Sequence, residues 1–309
     1  MQLSLFKKEL ILIVKPTITI KGEYFLGLIA GISVVFIWSF WLVVTRSGVS
    51  STLTIYDFAA FRYGLSSLIA LPVVLYFKPW QTMSFLRVIV ITFLLGPIYI
   101  LCVFSGFIYA PASHGGIFMN GLMPFFTLIF GFFLLKQKIF IQQMFGAATI
   151  LFGACLAVYD GLELNFSNTW IGDIFFIIGA IFFSIYVVLS RLWNVTMTQL
   201  LFCGSVINAI LYLPIYFIFL PKGLVEVPNE ILVLQMIYQG FVPNLIGIFF
   251  ITYASQKIGS ASISAILSSV PPIGSVLGLL ILGELLGLSG WLSLFMITPG
   301  ILLIVLKRE

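Results

Sequence analysis

Apolar runs of about 20 residues, the length that crosses the hydrocarbon core of a bilayer, recur along this chain between short polar breaks. They lie near residues 24–44, 55–77, 84–108, 112–135 and 139–159, and again near 169–190, 197–220, 231–254, 258–282 and 286–306. Each run is continuously apolar, whereas a strand of a membrane barrel alternates apolar and polar positions over about ten residues. The pattern therefore predicts ten membrane-spanning helices and no strands.

The same pattern occurs twice. Laid without a gap on Gln256–Val305, the stretch Tyr109–Val158 sets Pro124 on Pro271, Gly131 on Gly278, Leu135 on Leu282, Gln137 on Glu284, and Gly153 on Gly300. Upstream, Gly27 corresponds to Gly172, Ser39 to Ser184, Trp41 to Tyr186, Arg46 to Arg191 and Pro72 to Pro214. Two homologous halves of five spans each follow, and an odd number of spans forces the halves to cross the membrane in opposite senses. The expected organisation is a cytoplasmic leader over residues 1–23, then five-helix repeats over 24–160 and 169–306.

Basic residues fix the expected orientation. With the N-terminus inside, Lys7, Lys8, Lys15, Lys21, Lys78, Arg87, Lys136, Lys138, Arg191, Lys257, Lys307 and Arg308 all fall on the cytoplasmic side, out of 15 Lys and Arg. Arg46 and Lys222 fall outside, with Asp160, Glu163, Glu226, Glu230 and Glu284. A multi-pass protein of the inner (plasma) membrane with both termini cytoplasmic is the expectation.

Composition agrees: 61% of residues are hydrophobic and 8% charged, where a soluble domain carries roughly a quarter charged. The net charge of +5 is spread singly through loops, so it does not describe a nucleic-acid patch. Cys102, Cys155 and Cys203 sit in apolar runs as free thiols, with no disulfide framework, metal site or cofactor implied.

Few residues can carry chemistry. Arg62 lies within the second span, about 10 Å below its start, and facing lipid there would cost several kcal/mol, so it should face the bundle. It could hold a solute carboxylate, or pair with Asp57. Asn120 and Asn244 are buried amides suited to a cavity, with Tyr99, Trp38 and Trp41 as candidate walls for a planar or amphiphilic solute. His114, the one histidine, is a candidate proton-coupling residue or a polar interface residue. Pro97, Pro124, Pro243 and Pro271-Pro272 interrupt spans three, four, eight and nine, with Pro124 and Pro271 as candidate hinges. An enzyme is disfavoured. Gly-Leu-Ser-Gly at 287–290 reads as a turn and helix cap, no aspartyl pair faces itself at mid-span, and no Walker motif is present.

Trp38-Ser39, Phe-Ala-Ala-Phe-Arg62, Tyr-Ala-Pro-Ala-Ser-His-Gly-Gly leading to Asn120-Gly-Leu-Met-Pro124, Leu-Gly-Glu284 and the Gly-rich tenth span together resemble the EamA family of the drug/metabolite transporter superfamily. The resemblance covers nearly the whole chain. It implies an inner-membrane secondary transporter, many of whose relatives export amino acids and related metabolites through a central cavity. Lys136-Gln137 departs from the family's usual Gly-Glu after span four. The expected function is export of a small metabolite, an amino acid or amphiphilic solute, by alternating access, with the proton as a candidate coupling ion and either a monomer or a homodimer as the unit. The alternatives are an importer or exchanger of a nucleotide-like metabolite on this fold and, from another class, a non-transporting membrane enzyme or receptor.

Overall fold

A computed structural model describes residues 20–164, 168–225 and 227–306. Most of the leader expected over residues 1–23, together with Glu226, Lys307 and Arg308, lies outside the described residues. Within them the fold is all-helical, and ten helices are long and apolar enough to cross a membrane. Spans one to five are Gly22–Val49, Ile55–Phe77, Phe85–Tyr109, Ala112–Leu135 and Ile141–Glu163. Spans six to ten are Thr169–Leu192, Met197–Phe219, Asn229–Ile258, Ser262–Leu282 and Leu288–Val305. Most bounds differ from the hydropathy reading by a few residues, as frayed helix ends do. Span one runs further, to Val49, and so carries Arg46 in its last turn instead of in a loop.

The duplication is written into the packing. Spans five and ten form the most extensive pair, and spans two and seven form another. Span one packs on spans eight and nine as span six packs on spans three and four. That is the pattern of a pseudo-twofold axis in the membrane plane, relating two inverted repeats. Small residues sit where the axis-related helices approach. A Cβ on Gly27 would lie 2.7 Å from the Lys257 Cβ, and one on its counterpart Gly172 would lie 2.5 Å from the Ala110 Cβ. Large apolar side chains such as Leu68, Phe133 and Phe295 point outward, as a lipid-facing surface requires.

Helix breaks fall where the prolines suggested. Span three is broken at Gly96 before Pro97, span eight at Phe241 before Pro243, and span nine at Ser269 before Pro271. Span four carries a widened π-helical segment over Gly115–Gly121, ahead of Pro124. A further π-helical segment, Phe202–Ile207 in span seven, has no proline and was not foreseen.

Spans four and nine end alike. The backbone N–H groups of Gln137 and Glu284 close on the carbonyls of Gly131 and Gly278, both at 3.3 Å, and the residue before each is left-handed: Lys136 at φ 53° and Gly283 at φ 67°. A side chain strains that conformation and glycine does not. Lys136→Gly is therefore expected to raise stability by about 0.5–1 kcal/mol. The midpoint of unfolding in mixed detergent micelles checks this; an unchanged or lower midpoint would count against strain at Lys136.

Gly287 is the N-cap of the tenth span, in line with the reading of residues 287–290 as a turn and helix cap. Asp160, from the end of span five, accepts from the N–H groups of Gly290 at 2.9 Å and Gly287 at 3.3 Å, and from the Ser289 hydroxyl at 2.8 Å. A carboxylate from a neighbouring helix thus serves the positive end of span ten, a charged acceptor stronger than a hydroxyl.

Candidate functional site

Odd-numbered spans begin on the membrane face that carries the start of span one, here the near face, and end on the opposite, far face. Between the repeats lies a cavity of about 340 Å³. Its mid-span walls are Arg62 and Ser66 of span two, Leu95 and Tyr99 of span three, and Met119, Asn120 and Met123 of span four. Towards the near face it continues along Tyr186 and Val187 late in span six, Met197 and Leu201 at the start of span seven, and Ile251 in span eight. A cleft of about 310 Å³ adjoins it between spans seven and eight, sharing Met197, Leu201, Asn244 and Ile248 and extending to Gln256. The cavity is thus open towards the near face.

All six residues singled out for solute contact line this cavity: Arg62, Asn120, Asn244, Tyr99, Trp38 and Trp41. Their surroundings differ. Trp41 donates its indole N–H to Gln239 at 2.9 Å, and Asn244 donates to the Gln239 carbonyl at 2.9 Å, across the break in span eight. Arg62 does not pair with Asp57. That carboxylate accepts from the Thr54 N–H at 2.7 Å, from the Gly223 N–H at 2.9 Å and from the Tyr216 hydroxyl. Among the described residues, neither the Arg62 guanidinium nor the Asn120 amide has a side-chain hydrogen bond, so both present their donors to the cavity. The cavity walls also include Met119, Met123, Phe183 and Tyr186, which sequence reasoning did not propose for solute contact.

Towards the far face, polar groups close the bundle. Arg46 of span one bonds Glu284 through Nε at 2.7 Å and also donates to the Phe107 carbonyl, while the other Glu284 oxygen accepts from the Ala112 N–H at 2.8 Å at the start of span four. Gln235 donates to the Val44 carbonyl at 2.6 Å, and Gln239 to Thr45 at 3.0 Å and to Gln235 at 3.1 Å. Two glutamines four residues apart in an apolar span share one helix face, a signal that the sequence offered and that was missed.

His114 does not line the cavity. Its Nδ1 lies 2.7 Å from Asp173 Oδ1, both side chains being almost fully buried, while the second Asp173 oxygen has no partner among the described residues. Asp173, Asp57 and Asp160, all near span ends, are buried there. Pro124 and Pro271 also lie outside the cavity wall, Pro124 beside the π-helical segment of span four and Pro271 packed on Gly116 of that segment, its Cα 3.2 Å from where a Cβ there would be.

Near-face counterparts of the far-face ion pair are Arg191 and Gln137. Arg191 is exposed, and the Gln137 side-chain oxygen turns back to lie 3.0 Å from where a Cβ on Gly131 would be. The near face is held instead by a more exposed pair that is not the repeat counterpart, Lys257 at the end of span eight donating to Glu23 at the start of span one at 3.0 Å.

A family model described as EamA-like transporter family matches residues 25–159 and, a second time, residues 170–306. A solved structure titled only as the crystal structure of a protein is similar at 17% identity with a TM-score of 0.59, over 90% of this chain and 95% of that one, and so shares the fold. A comparison with curated proteins finds no match.

Proposed function

The chain belongs to the EamA-like transporter family, and from that premise we propose that it is a secondary transporter exporting a small metabolite, an amino acid or amphiphilic solute, by alternating access. One observation supports this reading above the others: a mid-span cavity between two inverted repeats, open towards one face and latched by hydrogen bonds towards the other. Exchange of the two repeats' conformations would move the opening to the other face. Arg62, Asn120, Asn244, Tyr99, Trp38 and Trp41 would contact solute, and the breaks at Pro124 and Pro271 would bend.

With the near face cytoplasmic, as the basic residues suggest, the solute enters from the cytoplasm. The buried His114–Asp173 pair is the proposed proton-coupling site: it lies near the far-face ends of spans four and six, away from the solute, so protonation would act through helix packing. A nucleotide-like polyanion is disfavoured because Arg62 is the single charged residue of the cavity wall among the described residues.

Proteoliposomes loaded with a radiolabelled mixture of amino acids and amphiphilic organic acids test the reading. Wild type is expected to release label at least tenfold faster than empty-lipid controls and faster still under an imposed pH gradient. Ser205→Trp, which fills the cavity, should stop release, and His114→Ala should retain release but not the gradient response. No release of any amino acid would sink the amino-acid assignment. Gradient dependence that survives His114→Ala would remove the coupling role.

A further inference from the structure

We infer that the cavity is built for an amphiphilic organic monoanion: one acidic head on Arg62 and an apolar body reaching into the cleft between spans seven and eight. The inference rests on the transport reading above and names its substrate class.

Charge balance carries the argument. Among the described residues, Arg62 is the only charged one lining either the cavity or the cleft. It makes no ion pair among the described residues, and the acid nearest to it in sequence, Asp57, is occupied by Thr54, Tyr216 and Gly223. A guanidinium held in a largely apolar enclosure without a counter-ion is costly, and an anion relieves that cost by forming charge-assisted, bidentate hydrogen bonds. One cation compensates one negative charge, so a phosphate ester carrying two or three would enter with charge unmatched.

The same bookkeeping separates a simple acid from a zwitterion. Among the described residues, no Asp or Glu lines the cavity or the cleft. The ammonium of an amino acid would therefore lose its hydration beside a positive group, with neutral amide and hydroxyl oxygens as its only partners. A carboxylate without an ammonium meets no such penalty.

Shape supplies the second half. Trp38, Tyr99, Met119, Met123 and Phe183 offer aromatic and thioether surface around the head-group site. Beyond them the cleft runs along Ile248, Phe249, Thr252 and Tyr253, and a cavity of about 340 Å³ joined to one of about 310 Å³ holds an arene with an alkyl chain.

A matched phenyl series tests this by calorimetry on the purified protein in nanodiscs. 3-Phenylpropionate should bind at least tenfold more tightly than 3-phenylpropionamide, phenylalanine or 2-phenylethylamine. Lengthening the acid to 5-phenylpentanoate should tighten binding roughly fourfold per methylene. Arg62→Gln should bring acid and amide level, and Arg62→Lys should keep part of the acid preference. Phenylalanine binding as tightly as the acid, an acid preference that survives Arg62→Gln, or no binding by any compound overturns the inference. The wild-type comparison stands even where a variant does not fold. Flux of the same compounds in proteoliposomes separates the two readings. Carriage of phenylalanine in preference to the acid sinks the monoanion and leaves transport standing, whereas tight acid binding without flux of any compound sinks transport and leaves the site.

Discussion

Gly300→Val is expected to destabilise the folded protein by about 3 kcal/mol, more than a hundredfold in the ratio of folded to unfolded molecules. The site is the crossing of spans five and ten. A Cβ on Gly300 would stand 2.8 Å from Ile150 Cγ1, 2.9 Å from the Gly146 carbonyl oxygen and 3.1 Å from the Ile150 nitrogen. Two of those three atoms are backbone, so no rotamer change relieves the contact and the helices must part. Inside a bilayer, close packing and interhelical hydrogen bonds hold helices together, since lipid tails are as apolar as the side chains they replace. Separation also stretches bonds at the same crossing, where Gln142 donates to the carbonyls of Leu303 at 3.1 Å and Leu306 at 2.8 Å, and Gln143 to that of Ile304 at 3.1 Å. Reversible unfolding by a denaturing detergent in mixed micelles measures the loss, with Phe295→Val on the lipid-facing side of the same span as the control. Equal midpoints for Gly300→Val and the control would show that the close crossing contributes little.

Gly300 could be singled out from the sequence because it is the counterpart of Gly153, and the repeat could be read because corresponding residues keep their spacing. Membrane depth was legible for a similar reason. Hydropathy reports where along a span a residue sits, and that sufficed to bring Arg62, Asn120, Asn244, Tyr99, Trp38 and Trp41 to the depth of the cavity they line. What depth alone does not give is the partner. Arg46 and Glu284 are 238 residues apart, and each lies at a span end, where the sequence read them as charges in water. His114 and Asp173 were each visible but their pairing was not, because the two meet only once span six packs beside span four. The Asp160 cap on span ten escaped for the same reason: its acceptor comes from another helix, whereas cap rules look along one. Gln235 and Gln239 were a true omission, their shared face being computable from helical spacing alone.

Glu284→Gln is expected to shift the protein about thirtyfold towards opening at the far face. The carboxylate holds two elements at once, Arg46 at the end of span one at 2.7 Å and the Ala112 N–H at the start of span four at 2.8 Å. The pair is partly exposed, its side chains 25% and 16% accessible, so its loss is worth less than that of a fully buried pair: about 2 kcal/mol, roughly a thirtyfold shift. The stability is differential because the repeat-related position, Gln137, carries no charge and lies against Gly131, while the near-face pair of Lys257 with Glu23 is a separate contact that Glu284→Gln leaves untouched. Breaking the far-face latch therefore removes stabilisation from one conformation and none from the other, the condition for a population shift. Spin labels at Ser50 and Leu285, on either side of the latch, report it by their distance distribution. A long-distance population of a few per cent in the unmutated chain should rise to about half with Glu284→Gln, Arg46→Gln should do the same, and the double variant should add little to either. Gln137→Glu should act in the opposite place, pairing with Arg191 once the near face closes and so favouring the far-open state by a comparable amount. If Glu284→Gln leaves the distance distribution unchanged, the ion pair is a by-product of the closed packing, and the glutamines on span eight hold the far face shut.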